Sequence, residues 1–91
     1  MERIKVKELF GRNLKYYRFK KGLSQEQLAE KIDTTVTYIS NIETGRNGVT
    51  FTKVEEFCNV LGIKPSQLFD EGVYKKEFCD RLDLYKKRNK A

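Results

Sequence analysis

The sequence predicts an all-α protein built from six helices. Apolar residues recur at spacings of three and four along much of its 91 residues, as they do on one face of a helix. No segment shows a convincing period-two alternation between turn signals, which is the pattern expected of strands. Five of the six glycines, all except Gly11, fall where such a helix would stop. Helices alone therefore account for the pattern.

The first two predicted helices have clear boundaries. Residues 5–21 form the first helix, because Phe10, Leu14 and Tyr17 recur at positions i, i+4 and i+7. Ser24 and Gln27 have the spacing of a capping box, which begins a short second helix. This helix ends at about residues 33–34. Its inward residues are Leu28, Ala29 and Ile32.

The third and fourth helices are predicted from caps and apolar stripes in the same way. Thr35 is suited to begin the third helix and Gly45 to end it. Its inward residues are Ile39 and Ile42. Thr50 or Thr52 begins the fourth helix, which runs to about residue 61. Its inward residues are Val54, Phe57, Cys58 and Leu61.

Two further helices complete the prediction. Pro65 lies close to the first turn of a short fifth helix that carries Leu68 and Phe69. Residues 74–90 predict a sixth helix with an apolar stripe on an otherwise charged surface. The stripe consists of Tyr74, Phe78, Leu82 and Tyr85. The chain is therefore expected to divide into a domain at residues 1–72 and a C-terminal amphipathic helix with a basic tail at residues 73–91.

The net charge of +6 is concentrated at the two ends of the chain. Residues 1–22 carry eight lysines and arginines against two glutamates, and residues 73–91 carry seven against three acidic residues. A basic protein is biased towards polyanions such as nucleic acid. Charge alone, however, is explained equally well by a need for solubility.

The composition argues against several classes of function. The chain has no histidine, which removes Cys2His2 zinc sites and the Ser-His and Cys-His nucleophile pairs. It has neither a nucleotide-binding glycine pattern nor paired carboxylates in a convincing arrangement, so we expect no enzyme, cofactor or metal site. Cys58 and Cys79 are expected to be ordinary thiols. The N-terminus lacks the features of a signal peptide and no apolar run approaches about 20 residues, so a cytoplasmic protein without a membrane span is expected.

Residues 25–44 have the layout of a helix-turn-helix. Two short helices joined by a turn of three or four residues allow the second helix to enter the DNA major groove. The two helices must approach closely, and Ala29 supplies a small residue on the inner face of the first.

At this motif the sequence resembles the lambda-repressor-like family, which includes Cro, phage repressors and XRE-type regulators. The resemblance covers about residues 6–70, and its motifs are FGRNLKYYRFKKGLSQEQLAEKIDTTVTYISNIETGRN and VEEFCNVLGIKPSQLF. Within the family, TYIS-IE-G-RN is most similar to the short controller proteins of restriction-modification systems and to small phage-type repressors. Asp33 departs from the family, which commonly has glycine in the turn; aspartate is among the few residues that tolerate positive φ.

The resemblance implies a five-helix DNA-binding domain, here with an additional C-terminal helix, whose third helix (about residues 35–44) enters the major groove. The outward side chains of this helix are short and uncharged, which suits base contacts. The expected base contacts are Thr35, Val36, Thr37, Ser40 and Asn41. The expected phosphate contacts are Gln25, Tyr38, Arg46, Asn47, Thr50 and Thr52. The alternatives are a merely solvated face for the third helix, a capping role for Gln25 and packing on the domain for Tyr38.

The resemblance also implies an ion pair between Arg18 and Glu43 with a structural role. The expected protein is a homodimeric transcription regulator that binds a palindromic operator in double-stranded DNA, and no small-molecule effector is expected. Candidate residues for the dimer surface are Leu68, Phe69, Tyr74, Phe78, Leu82 and Tyr85. The alternative is an antitoxin-like or bridging module that uses the same fold to bind another protein.

Overall fold

The computed structural model describes residues 5–72, and in this range every regular element is an α-helix. The predicted all-α class is therefore confirmed for this part of the chain. The five helices are α1 (Val6–Lys20), α2 (Gln25–Lys31), α3 (Val36–Glu43), α4 (Phe51–Leu61) and α5 (Pro65–Leu68). The predicted sixth helix, with its stripe Tyr74, Phe78, Leu82 and Tyr85, lies outside the described residues, as does Cys79. No helix within residues 5–72 is long and apolar enough to span a bilayer.

Side-chain caps fix where three of the helices begin. Ser24 Oγ accepts a hydrogen bond from the Gln27 amide at 3.0 Å, and Gln27 Oε1 accepts one from the Ser24 amide at 2.8 Å. The predicted capping box of α2 is thus confirmed. Thr35 caps α3 and Thr50 caps α4, each by accepting from the amide three residues further on. Of the two candidates for the start of α4, the structure selects Thr50 over Thr52.

The turn between α2 and α3 uses the left-handed conformation at Asp33, whose φ is 54°. The Thr34 amide donates to the Ala29 carbonyl at 2.8 Å, and the Asp33 amide donates to the Glu30 carbonyl at 3.3 Å. These two bonds form the pattern of a Schellman C-cap. Asp33 is the one non-glycine residue with positive φ in residues 5–72, so the departure at this position does not prevent the turn.

The core lies where α1, α3, α4 and α5 meet, with α2 packed against α3. Its buried apolar residues are Phe10, Leu14, Leu28, Ala29, Ile32, Ile39, Ile42, Val54, Phe57, Cys58, Leu61 and Leu68. Tyr17, which the helical spacing predicts on the apolar face of the first helix, is only partly buried against this core, as is Leu23. Cys58 is a free thiol, as expected, and its burial raises the pKa of the thiol.

The structure corrects the assignment of Leu68 to a dimer surface. Its side chain is fully buried, because α5 packs on α1 and α4 and turns Leu68 into the core of its own domain. Phe69, the next residue, remains 42% exposed. Of the residues expected at a dimer surface, Phe69 is therefore the one that the described structure leaves accessible.

Two polar or small residues in α1 have packing roles that the sequence did not indicate. A Cβ atom at Gly11 would overlap the carbonyl oxygens of Ile42 and Glu43, so a glycine is needed for the close approach of α1 to the end of α3. Asn13 is fully buried. Its Nδ2 donates to the Leu68 carbonyl at 2.9 Å and to the Asp70 carbonyl at 3.0 Å, which fixes the chain as it leaves α5.

Candidate nucleic-acid interface

Helices α2 and α3 are joined by a four-residue turn, residues 32–35, and form a helix-turn-helix unit. Ala29 is 3% exposed on the inner face of α2, where its small side chain allows the two helices to pack closely. Leu28, Ile32 and Ile39 are buried around this contact. Because Ile39 and Ile42 direct one face of α3 into the core, its opposite face is directed outward.

The outward face of α3 carries short, uncharged side chains. Thr35, Val36 and Thr37 are exposed, and Ser40 and Asn41 are half-buried. The carboxylate of α3, that of Glu43, is buried, so it does not present a negative charge at the surface. A face of this kind can approach the base edges of DNA without repelling the phosphates. The structure thus brings all five predicted base-contact residues to one helix and its cap.

The loop after α3 folds back onto the end of that helix. The Asn41 carbonyl accepts hydrogen bonds from the amides of Arg46 and Asn47, at 2.9 and 3.2 Å, and Thr44 Oγ1 donates to the Ser40 carbonyl at 3.0 Å. The side chains of Arg46 and Asn47 are exposed. They therefore lie beside the C-terminal end of the candidate recognition helix, where a cation and an amide can reach a phosphate.

The predicted ion pair between Arg18 and Glu43 is present and buried. Arg18 Nε donates to Glu43 Oε2 at 2.6 Å, and its Nη2 donates to Oε1 at 3.0 Å. The two side chains are only 7% and 3% exposed. The remaining guanidinium nitrogen, Nη1, donates to the Leu23 carbonyl at 2.9 Å. The pair thus joins α1 to α3, and Arg18 also binds the backbone of the segment that precedes α2.

Gln25 belongs to the same network, which the sequence did not indicate. Its Nε2 donates to Glu43 Oε1 at 3.0 Å, and the side chain is half-buried at the first position of α2. The cap of α2 is Ser24, so Gln25 does not have the alternative capping role. An amide nitrogen carries two hydrogens, so the bond to Glu43 leaves one for a phosphate oxygen. Gln25 and Glu43 are 18 residues apart, and only the tertiary fold brings them together.

Gln25 and Val36 border the same shallow recess. It has a volume of about 610 Å³ and lies between the end of α1, the start of α2 and the start of α3. One predicted phosphate contact and one predicted base contact therefore face a continuous surface. Tyr38 is half-buried and packs against the core, which fits the alternative that the sequence left open for it.

The start of α4 supplies the last predicted phosphate contacts. Thr50 and Thr52 are both exposed. The hydroxyl oxygen of Thr50 accepts from the Lys53 amide at 3.2 Å, while the first amides of a helix have no partner within the helix. An 11-residue helix also has a partial positive charge at its N-terminus. This end of α4 can therefore bind an anion through its backbone as well as through its side chains.

Comparison with known proteins relates this geometry to a family. A helix-turn-helix family model matches residues 14–68. The control protein C.MunI from Mycoplasma sp is 42% identical over 72 residues, which are 78% of this chain and 95% of the relative.

Two solved structures share the fold. The restriction-modification controller protein C.AhdI from Aeromonas hydrophila superposes with a TM-score of 0.66 at 33% identity, covering 69% of this chain and 96% of the other. The controller protein C.Esp1396I, solved as a tetramer in complex with its natural 35-base-pair operator, gives a TM-score of 0.62 at 30% identity. That match covers 70% of this chain and 84% of C.Esp1396I.

Proposed function

The chain belongs to the helix-turn-helix family, and we propose that it is a transcription regulator that binds double-stranded DNA in a sequence-specific manner. The observation that carries the proposal is the outward face of α3. That face is short, uncharged and accessible, and the amides and cations that can bind phosphates lie at both of its ends. Such an arrangement combines base readout with backbone positioning. We propose a cytoplasmic location for such a regulator. The proposal includes no catalytic activity.

Within the proposed complex, α3 lies in the major groove. The side chains that read bases are Thr35, Val36, Thr37, Ser40 and Asn41. The Asn41 amide can pair with adenine N6 and N7, threonine hydroxyls can serve several bases, and Val36 can contact a thymine methyl group. A good bidentate contact, such as the one proposed for Asn41, discriminates by about 1–3 kcal/mol.

The phosphate backbone is held by residues on either side of α3. Arg46 supplies a charge, and Gln25 supplies the amide hydrogen that its bond to Glu43 leaves available. The other proposed contacts are Asn47, Thr50 and Thr52, whereas Tyr38 packs against the core. Contacts of this type provide affinity that falls with salt and does not depend on sequence.

We further propose that the protein binds as a homodimer to a palindromic operator. The support comes from C.Esp1396I, which is similar to this chain over most of its length and was solved as a tetramer on its operator. Two-fold protein symmetry is matched by two DNA half-sites in inverted orientation.

The experiment is selection of bound DNA from a random pool, followed by titration of the selected site. The wild-type chain is expected to enrich an inverted repeat, and Asn41→Ala is expected to bind that repeat at least tenfold more weakly, because one bidentate contact is lost. Asn59→Ala is the matched control, since Asn59 is exposed on α4 away from α3. Failure to enrich any sequence would contradict the proposal, and stoichiometric capture of a protein instead would favour the interaction-module alternative.

A further inference from the structure

An apolar groove opens between the start of α1, the start of α4 and Phe69. Four large hydrophobic side chains are substantially exposed within residues 5–72, and three of them, Val6, Phe51 and Phe69, line this one groove. They are 52%, 89% and 42% exposed. Phe10 and Val54 from the core also line it, and the Phe69 ring lies against the Phe10 ring at 5.4 Å between centroids. The groove is therefore a continuous apolar surface rather than a set of isolated side chains.

The size and chemistry of the groove fit protein side chains better than a small molecule. Its volume is about 230 Å³, below the roughly 300–1,000 Å³ of typical small-molecule pockets. Its side chains are apolar except for Lys7 and Asn47. A specific ligand would need several convergent polar groups to fix its orientation. One or two aromatic or aliphatic side chains would need only the apolar walls.

We propose that the occupant is the C-terminal segment of the same chain, residues 73–91, with Tyr74 and Phe78 seated in the groove. Asn13 fixes the backbone of Leu68 and Asp70, and Asp70 Oδ1 accepts from the Gly72 amide at 2.8 Å. The chain therefore leaves the described structure from a fixed point, three residues after Phe69, which is itself a wall of the groove.

The length of the chain allows this contact. Tyr74 follows Phe69 by five positions, and the chain between them spans at most about 18 Å when extended. Phe78 follows Tyr74 by four positions, the spacing that places two side chains on one face of a helix. The first two positions of the apolar stripe can thus reach one groove, and Leu82 and Tyr85 remain for a dimer surface.

Occupation by the same chain is favoured over occupation by a second copy. A segment joined by so short a linker has an effective concentration in the millimolar range with respect to the groove. The groove and the stripe are also different surfaces, so an exchange between copies closes into a dimer only when both copies exchange the segment reciprocally. The groove borders the proposed phosphate contact Asn47. The inference does not rest on the proposed DNA binding, however, because it is argued from the apolar lining of the groove and the reach of the chain.

A double-mutant cycle on the full chain tests whether the two parts touch. Phe51→Ser and Phe78→Ser are each expected to lower the urea midpoint. The midpoint of the double variant is expected to be no lower than that of the less stable single variant. An 89%-exposed phenylalanine would otherwise contribute little. Val36→Ser, which alters an exposed apolar residue outside the groove, is expected to combine additively with Phe78→Ser. Additive effects of Phe51→Ser and Phe78→Ser would overturn the proposal.

A spin label identifies which copy supplies the segment. The label is attached to Cys79 in a Cys58→Ala variant that is isotopically enriched, and this protein is diluted into a tenfold excess of unlabelled protein. Broadening of the Gly48 and Phe51 amide signals, with the Lys31 signal unaffected, is expected to persist on dilution. Loss of broadening on dilution would instead assign the groove to a second copy. Absence of broadening before dilution would show that the segment does not occupy it, and either result overturns the proposal.

Discussion

Asp33 adopts an unfavourable backbone conformation within a turn that is otherwise well hydrogen-bonded. Its φ of 54° is ordinary for glycine and unfavourable for a residue with a Cβ atom. The amides of Asp33 and Thr34 nevertheless complete the C-cap of α2. The side chain is exposed, so the cost is conformational and no packing depends on it.

Asp33→Gly is therefore expected to raise the free energy of unfolding by about 0.5–1 kcal/mol, because the left-handed conformation is then no longer penalised. Urea denaturation measures the change. Asp33→Ala serves as the control and is expected to lower the free energy of unfolding, since alanine has a Cβ atom and lacks a short polar side chain. Equal stability of the glycine and alanine variants would contradict this account.

The contribution of Arg18 and Glu43 to stability depends on the burial of their ion pair. Glu43→Ala is expected to lower the free energy of unfolding by about 3–5 kcal/mol, because the Arg18 guanidinium would remain buried without its carboxylate. Replacing both residues with methionine is expected to cost less than the sum of the two single changes. The matched control is Glu55→Ala on the exposed side of α4, for which thermal or urea unfolding should show a change within about 0.5 kcal/mol.

At the scale of the element, α3 and the loop after it divide the proposed interface into two kinds of contact. The polar side chains of α3 that are proposed to contact bases face outward, because Ile39 and Ile42 on the opposite side of the helix face the core. The loop is held against α3 by the Asn41 carbonyl, which accepts from the amides of Arg46 and Asn47. One element is thus positioned for bases and the adjoining one for phosphates.

This division predicts different responses from two exposed residues. Arg46→Ala is expected to weaken binding to specific and nonspecific DNA alike and to reduce the slope of log K against log salt by about 1. Thr37→Ala is expected to weaken binding to the selected site while leaving that slope unchanged. Titrations at several salt concentrations with both DNA types separate the two effects. A change of salt slope in Thr37→Ala would contradict the assignment of Thr37 to bases.

At the scale of the whole molecule, the small described domain presents a single recognition helix. One such helix reads few base pairs, so a second copy is needed to recognise a longer site. The basic ends of the chain add attraction to DNA that depends little on sequence. The proposed homodimer would combine both contributions across two half-sites.

A homodimer fixes the distance between the half-sites. Inserting about five base pairs between them is expected to abolish cooperative binding, because the second half-site then faces the opposite side of the duplex. Inserting about ten should restore part of the binding, since half-site spacing follows the helical repeat of about 10–10.5 base pairs. Gel-shift titration measures both, alongside the mass of the free protein in solution. Equal affinity for all three spacings would contradict binding as a rigid dimer.

Local chemistry made most of the described fold predictable from the sequence. The capping box at Ser24, the cap at Thr35 and the left-handed residue at Asp33 depend on neighbours within a few positions, so a linear pattern contains them. The inward residues of α4 follow from the period of the helix. Thr37, Ser40 and Asn41 lie on the side of α3 away from the core for the same reason, since their positions follow once Ile39 and Ile42 are inward.

The tertiary structure decided the features that join distant parts of the chain. It buried Leu68, which the sequence placed on a surface, and it required glycine at Gly11 because α1 approaches the end of α3. It also formed two hydrogen bonds between distant residues: Asn13 donates to the Leu68 carbonyl at the end of α5, and Gln25 donates to Glu43. The sequence by itself thus determined the five described helices, most of their limits and the outward face of α3. Which side chains meet across helices was settled by packing, because a contact between residues far apart in the chain leaves no spacing for a sequence pattern to show.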